Sequence, residues 1–396
     1  MHGCKKYVIA RYLLGLLIVS SSVCAKTTET KTLVHRHVPR TAERKTSHTS
    51  ALTFGPFFNN QLKFFFYGQF NQAVLYANDQ HVRNVFFTTN DSFPSLVGVS
   101  GEIQPNKDFT IGARVELGLE VNASGAMTQD DHTPSDSLDK RRVEMYFQSK
   151  QWGKFWIGKG STASDNSAES DLSGTDMVMY AGIADLGGEL YFRTPHVHAY
   201  SENPQVEDVF NDLDGLGREK RIRYDTPQFH GFSLSTSAIK HNEGDVALTY
   251  NKKMDSMTVL GAVAYTSPSE LNDAVGNIID GSISVLLHNG LSGTFSTGKL
   301  NAHRPGRDNP HYSYCKLGYQ RAFWTVGKTF LSVDYERSKH YAQNNDVGKA
   351  YGVAVVQKVN SWHTSFYIQY RRFMLDRSNE NFDHIDAAVI GVFLQF

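Results

Sequence analysis

The feature that most constrains this chain is a strict alternation of apolar and polar residues, which recurs from about residue 55 to the end. It is clearest from Phe109 to Asn122, where every odd-numbered residue is apolar and every even-numbered residue is glycine, polar or charged. Successive side chains of a β-strand point to opposite faces, so this segment is predicted to be a strand with one apolar face. The predicted strands are residues 62–77, 94–104, 109–122, 142–148, 153–160, 188–194, 218–227, 231–240, 245–252, 256–266, 279–287, 290–300, 311–323, 326–338, 353–355, 366–370 and 388–396.

The length of the chain and its composition favour a membrane barrel of about 16 strands. Residues 54–396 supply about 21 residues per strand, of which a membrane-spanning strand takes about 9–11, leaving short turns and longer loops. A mean hydropathy of −0.39 with 25 Phe and 19 Tyr fits a barrel with a polar inner face and aromatic rims. A soluble sandwich would need a linker between two domains and a propeller would show repeats, and the sequence has neither. It therefore predicts an all-β fold, a transmembrane antiparallel β-barrel.

The first 25 residues have the pattern of a secretory signal peptide. A positively charged start precedes an apolar stretch that is too short to cross a bilayer as a helix. Val23 and Ala25 are the small residues that a cleavage site requires. Cys24 leaves lipidation as an alternative. We predict that residues 1–25 are removed on export.

Residues 26–54 differ in composition from the barrel predicted at 55–396. They contain six Lys or Arg residues and few residues that could build a core, so we predict a basic, disordered periplasmic extension. An alternative is that this segment contacts peptidoglycan or anionic lipid.

Cleavage after Ala25 leaves Cys315 as the only cysteine, which excludes an intrachain disulfide. The whole chain has 40 basic and 40 acidic residues, a balance that does not indicate a nucleic-acid partner.

Several segments resemble the general, trimeric porins of the Gram-negative outer membrane. The block Arg221–Phe232 is the most specific, because it resembles the family pattern Arg-x-x-Tyr-x-Ser/Thr-Pro-x-Phe-x-Gly-Phe. The terminal Phe396 resembles the assembly signal of that family. The other resembling segments are residues 67–76, 95–102, 111–120 and 142–158. The chain departs from the family in its basic extension, and it lacks a Pro-Glu-Phe-Gly-Gly-type segment after the fifth strand.

The resemblance implies a function, a location and partners. It implies a water-filled channel for passive diffusion of ions and small hydrophilic solutes, with no cofactor and no catalytic residues. It also implies a homotrimer in which the second outer loop latches onto the neighbouring subunit. The lipid bilayer, lipopolysaccharide and the barrel-assembly machinery are the other implied partners. The implied location is the outer membrane.

The resemblance places a constriction loop at residues 161–187, where the composition is one-sided. This segment contains no Lys or Arg but five acidic residues. They are Asp165, Glu169, Asp171, Asp176 and Asp185. Charged residues at inward positions of the predicted strands are Lys63, Arg114, Glu116, Arg142, Arg221 and Arg223. We predict that the loop folds into the lumen and faces these arginines, because opposed charges create a field that sets ion preference.

Other interpretations stay open at this point. The barrel could act as an adhesin or structural anchor, or as a hydrolase, although no Gly-x-Ser-x-Gly elbow occurs. His196 and His198, like His35 and His37, could bind a metal, but two ligands do not complete a site. Three aspartates could bind calcium in an outer loop. They are Asp130, Asp131 and Asp136.

Overall fold

The strands form one antiparallel sheet that closes on itself. The computed structural model describes residues 52–57, 62–134, 136–195, 200–240, 242–267, 275–303 and 305–396. Sixteen strand positions make a closed barrel, to which two short strands are added. The last strand closes the barrel by pairing with β2, from Asp386 opposite Asn78 to Gln395 opposite Gln69. The predicted fold class is confirmed.

The strand bounds follow the alternating segments closely. The strands are β1 Leu52–Phe57, β2 Leu62–Asn78, β3 Arg83–Thr89, β4 Ser95–Asn106, β5 Phe109–Glu120, β6 Ser137–Ser149, β7 Gly153–Ser161, β8 Arg218–Asp225, β9 Phe232–Ala238, β10 Gly244–Lys253, β11 Met257–Ser267, β12 Val275–Leu287, β13 Leu291–Ala302, β14 His311–Trp324, β15 Gly327–Lys339, β16 Val347–Val359, β17 Thr364–Arg377, β18 Glu380–Asn381 and β19 Ile385–Gln395.

Two strand assignments differ from a simple barrel. β3 and β4 pair with the upper and lower halves of β2, so together they form one wall position that is interrupted at residues 90–94. β1 pairs with the start of β2 and begins at Leu52, before the predicted end of the extension at residue 54. The predicted signal peptide and the rest of the extension lie outside the described residues.

The two faces of the wall have the chemistry that the alternation predicts on strands β5 to β8. The odd-numbered residues of β5, such as Val115, are exposed on the outer face, whereas Glu116 faces inward and is buried. Inward tyrosine rings contact glycines of the neighbouring strand. A Cβ atom added to Gly98 would lie 2.4 Å from the ring of Tyr67. These glycines therefore leave room for the tyrosine rings of the neighbouring strand.

The connection between β7 and β8 is the longest in the chain. This connection, residues 162–217, contains the 3-10 helix Ile183–Asp185 and the short helix α1 Val206–Val209. We call it the constriction loop, after the role predicted for residues 161–187. The predicted strand at 188–194 is wrong, because only Tyr191 makes an isolated bridge there. Within the described part of the chain, no helix is long and apolar enough to cross a membrane.

An apolar core fills part of the lumen, which the sequence interpretation did not anticipate. Loop residues such as Met179, Phe192 and Phe210 pack against inward residues of β2, β3, β16, β17 and β19. Leu75 of β2 and Phe373 of β17 are fully buried in this core. The expectation that inward positions are polar therefore fails on this side, because these strands have apolar residues on both faces.

Candidate constriction site

The two ends of the constriction loop meet at Asp245 on the inner face of β10. Its carboxylate accepts hydrogen bonds from the backbone N–H groups of Ala163, at 3.2 Å, and Ser164, at 2.9 Å. It also accepts one from the Ser164 hydroxyl at 2.6 Å. The returning end is joined to the same hydroxyl, because Leu216 N–H donates to Ser164 Oγ at 3.1 Å. One buried carboxylate thus fixes where the loop leaves and rejoins the wall.

From this point the loop follows the inner wall along strands β12 to β15. Ser170 N–H donates to Ser282 Oγ, and Leu172 N–H donates to Ser284 Oγ, each at 2.9 Å. Further along, a hydroxyl pair joins the loop to β15 at 2.8 Å, between Thr175 and Ser332. The small polar residues at inward positions of these strands therefore satisfy loop backbone groups, which would otherwise be buried without partners.

An ion pair joins the middle of the loop to the wall. Lys316 of β14 donates from Nζ to Asp171 Oδ2 at 2.7 Å, and the lysine side chain is fully buried. The same ammonium group donates to the carbonyl of Met179. Lys316 was not among the predicted site residues, although its position on the inward face of a predicted strand could have indicated it.

The opposite side of the lumen is a wall of arginines and glutamates on β5, β6 and β8. Arg142 and Arg141 both contact Glu116 Oε1, at 3.3 Å and 3.1 Å. Arg221 Nη2 lies 2.5 Å from Glu144 Oε2, and Arg114 also binds Glu144. These contacts are nearly dry, since the Glu144 side chain has no exposed surface. We call this group, with Arg223, the arginine wall.

Arg141 joins the arginine wall because of a β-bulge. The pairing of β5 with β6 shifts between Glu116 and Leu117, so that Arg142 lies opposite the former and Lys140 opposite the latter. The extra residue is Arg141, which is 4% exposed, and it adds a second consecutive inward arginine. Simple alternation could not predict it, because it assigns adjacent residues to opposite faces.

The arginine wall also contacts the backbone where β7 ends and the constriction loop begins. Arg221 Nε donates to the carbonyl of Ser161 at 2.9 Å. Arg223 Nη1 donates to the carbonyl of Thr162 at 2.7 Å. Two of the predicted arginines therefore position the loop through its backbone.

The predicted acidic residues occupy different environments along the loop. Asp171 is paired with Lys316, and Asp185 is buried in contact with the hydroxyl of Tyr180. Asp165 is buried, and neither of its oxygens has a hydrogen-bond partner among the described residues. The two others are Glu169, which is buried, and Asp176, which is partly exposed.

Comparison with known proteins identifies the chain. The family model described as Gram-negative porin matches residues 48–378, which is most of the chain. The chain belongs to the Gram-negative porin family. It is therefore an outer-membrane protein that forms a channel for passive diffusion. None of the curated proteins matches its sequence significantly.

Solved porin structures share the fold of this porin at low sequence identity. An anion-selective porin from Comamonas acidovorans is 11% identical with a TM-score of 0.56, covering 85% of this chain and all of the other. Salmonella typhi OmpF, in complex with daunomycin, is 14% identical with a TM-score of 0.55, covering 86% and 99%. The trimer form of Vibrio cholerae OmpT, folded in vitro, is 11% identical with a TM-score of 0.53, covering 85% and 100%. At these identities the likeness shows the fold alone.

The complete constriction loop of this porin is more acidic than the predicted segment. Residues 162–217 contain eleven acidic residues and one arginine, Arg193. That arginine contacts Asp79 at 2.5 Å and lies over the ring of Tyr200 at 3.7 Å. Lys63, by contrast, is exposed near the start of β2. The loop as a whole therefore has a strong excess of acidic over basic residues.

The terminal residue of this porin is held at the seam of the barrel. Phe396 and Gly68 exchange two backbone hydrogen bonds, each of 3.0 Å. The Phe396 ring lies 6.0 Å from the rings of both Phe66 and Phe70. A Cβ atom on Gly68 would lie 2.6 Å from the Phe396 ring, so the glycine makes room for it.

The metal sites considered from the sequence gain no support from the geometry. Among the described residues, no three His, Cys, Asp or Glu side chains converge as metal ligands. Asp131 instead accepts the N–H of Thr133 within its own loop at 3.0 Å. The histidines at 196 and 198, like those at 35 and 37, lie outside the described residues.

Proposed function

We propose that the narrowest passage of the channel lies between the constriction loop and the arginine wall, and that it is a general pathway for small hydrophilic solutes. The observation that carries this proposal is the separation of charge. The acidic loop follows strands β10 to β15, whereas the arginines project from β5, β6 and β8. Opposed charges create a field across a narrow passage, and polar solutes that align with it pass more easily than apolar ones.

The selectivity of this passage is expected to be weak. Glu116 and Glu144 each bind at least two arginines, so they cancel part of the positive charge of the wall. On the other side, Lys316 neutralises Asp171. Arg223 also forms an ion pair, with Asp225 at 2.7 Å. The charges on both sides of the passage are therefore partly compensated, and the net field between them is small.

Reversal potentials across a tenfold salt gradient test the proposal. Replacing Asp165, Asp171 and Asp176 together with asparagine should shift selectivity toward anions. Replacing Arg114 and Arg223 with glutamine should shift it toward cations. Both shifts should shrink at high salt, since the Debye length falls from about 10 Å at 0.1 M to about 3 Å at 1 M. Asp255→Asn, in an exposed turn, is the control. Unchanged potentials in both charge variants would contradict the assignment.

We also propose a homotrimer in an outer leaflet that contains lipopolysaccharide. The trimer form of the Vibrio cholerae neighbour supports this proposal. A monomeric band in unheated electrophoresis with mild detergent would count against it.

We further propose that the barrel-assembly machinery recognises Phe396, and that residues 26–54 contact peptidoglycan. Loss of peptidoglycan co-sedimentation on deleting residues 26–51 is the expected result for the second idea.

The proposed role is that of a channel without enzymatic activity. A hydrolase needs a nucleophile, a base and an orienting group within hydrogen-bond reach of one another. The lumen charges are instead engaged in ion pairs and in contacts with the loop backbone. Conductance in a planar bilayer separates a channel from an adhesin or a structural anchor, neither of which needs an open passage.

A further inference from the structure

The second outer loop, residues 121–136, connects β5 to β6 and folds onto the inside of its own barrel. The backbone N–H of Thr89, the last residue of β3, donates to the carbonyl of Val121 at 3.0 Å. Ser124 N–H donates back to the carbonyl of Thr89 at 2.9 Å. Ser124 and Met127 are fully buried. The first half of this loop is therefore attached where residues 90–94 interrupt the barrel wall.

The interruption supplies a second set of bonds to the same loop. Asp91 N–H donates to Ser124 Oγ at 3.0 Å, and Gly125 N–H donates to Asp91 Oδ2 at 2.8 Å. A Cβ atom on Gly125 would lie 3.1 Å from that carboxylate oxygen and 3.5 Å from the carbonyl oxygen of Asp185. Residues 124 and 125 are thus enclosed by the broken strand on one side and the constriction loop on the other.

Three consecutive contacts join the second outer loop to the tip of the constriction loop, residues 183–191. Ser124 Oγ donates to the carbonyl of Asp185 at 2.6 Å. Gly187 N–H donates to the carbonyl of Ser124 at 2.9 Å, and Glu189 N–H donates to the carbonyl of Gly125 at 2.8 Å. Two of these contacts join backbone groups and one uses the Ser124 hydroxyl. Ser124 is fully buried, so its polar groups would be costly to leave unpaired.

A glutamine side chain extends this junction. Gln129 Nε2 donates to the carbonyl of Tyr191 at 2.8 Å, and Gln129 Oε1 accepts from Tyr191 N–H at 3.1 Å. The same amide group donates to Asp79 Oδ2 at 3.2 Å. Met127, between the two anchor points, belongs to the apolar core inside the lumen. The junction therefore combines hydrogen bonds with apolar packing.

We propose that the second outer loop is a fixed part of the constriction, which holds the tip of the constriction loop against the wall. This inference rests on the proposed constriction. It differs from the role that the family resemblance implies, a latch onto the neighbouring subunit. The residues from 121 to 129 are used inside their own barrel, where they bond to the broken strand and to the constriction loop.

The test removes the side-chain bonds of the junction and leaves every lumen charge in place. The double variant Ser124→Ala, Gln129→Ala loses the hydroxyl and amide contacts to residues 91, 185 and 191. Losing such bonds should raise the population of the displaced tip by about fivefold to thirtyfold. Open-channel current noise should rise and the voltage that closes the channel should fall. Thr133→Ala, in the exposed part of the same loop, is the matched control.

Two results would overturn the inference. One is a double variant whose noise and closing voltage match the wild type while its barrel is folded, as judged by heat-dependent electrophoretic mobility. The other is a fall in the dissociation temperature of the trimer with channel behaviour unchanged, which is the signature of a latch. If the double variant does not fold, Gly125→Ala replaces it, since it crowds Asp91 without removing a bond. The reversal potentials of the charge variants judge the proposed constriction separately.

Discussion

The ammonium group of Lys316 and the carboxylate of Asp171 form a buried ion pair, 2.7 Å long, between the barrel wall and the constriction loop. The two residues are far apart in sequence, and only closure of the barrel brings them together. Each partner would be costly to leave alone in this dry position. The pair therefore both neutralises lumen charge and fixes the loop.

Lys316→Met should loosen the middle of the constriction loop and make the channel more cation-selective. Breaking a buried pair by removing one partner typically costs about 3–5 kcal/mol, because it leaves the other charge unpaired. Reversal potential and single-channel conductance measure the two effects. Lys358→Met, at an exposed position of β16, is the control. A double variant that also carries Asp171→Leu should recover the wild-type conductance, and failure to recover it would argue against the pair.

Asp245→Ala should release both ends of the constriction loop. The variant leaves the N–H and hydroxyl groups of Ser164 without the carboxylate that accepts from both, and hydrogen bonds to charged groups contribute about 1.5–3 kcal/mol each. Ala163 N–H keeps its bond to Ser237 Oγ at 2.7 Å. We expect a larger and noisier conductance in a planar bilayer. Asp245→Asn retains an acceptor oxygen and should give an intermediate effect. Equal conductance in all three proteins would show that the loop is held elsewhere.

Gly68→Val should lower the yield of assembled barrel. The added side chain meets the ring of Phe396, which lies 2.6 Å from the position of a Cβ atom there. Gly293→Val on β13 is a suitable control, because nothing lies within 4 Å of a Cβ atom at that position. The fraction of heat-modifiable protein in outer-membrane extracts gives the readout. Similar yields from both variants would argue against a specific contact between Phe396 and Gly68.

Short helix α1 of the constriction loop should lose stability as the pH rises through about 7. Burial, followed by the charges of Glu189 and Asp208, raises the pKa of Glu207 to about 7. A carboxyl group with a raised folded-state pKa favours the folded form when it is protonated. Its contribution is complete below the unfolded-state pKa of about 4.3 and is lost as the pH passes 7.

Limited proteolysis of this loop at pH 5.5 and pH 8 measures that change. Wild-type protein should be cleaved faster at the higher pH, relative to a variant with Glu207→Gln, which has no charge to gain. Glu202→Gln, elsewhere in the same loop, controls for the general effect of pH on the protease. A ratio of cleavage rates that is the same in wild type and Glu207→Gln would contradict the assignment.

Much of the architecture could be predicted from the sequence, because alternating apolar and polar residues indicate strands with one apolar face. The strand over Phe109–Glu120 and the closing strand that ends near Phe396 were both predicted. β3 was missed, since residues 83–89 are short and follow β2 after a tight turn. The segment 188–194 was mistaken for a strand because its apolar residues serve the lumen core instead.

The residues of the site were predicted only in part from the sequence. Parity along a strand placed Arg114, Arg142, Arg221 and Glu116 on the inner face, and they meet there. Parity could not predict Arg141, because a bulge breaks the alternation on which parity depends. That the acidic loop faces these arginines stays a prediction.

By itself the sequence determined the barrel and its approximate strand number, because both follow from local alternation and composition. The tertiary structure decided which charges meet. Lys316 binds the loop, Asp245 joins its two ends, and Ser124 connects it to a second loop. Such contacts depend on where strands and loops lie after closure. Residues far apart in the chain then share one interior, where leaving a buried polar group unpaired is costly.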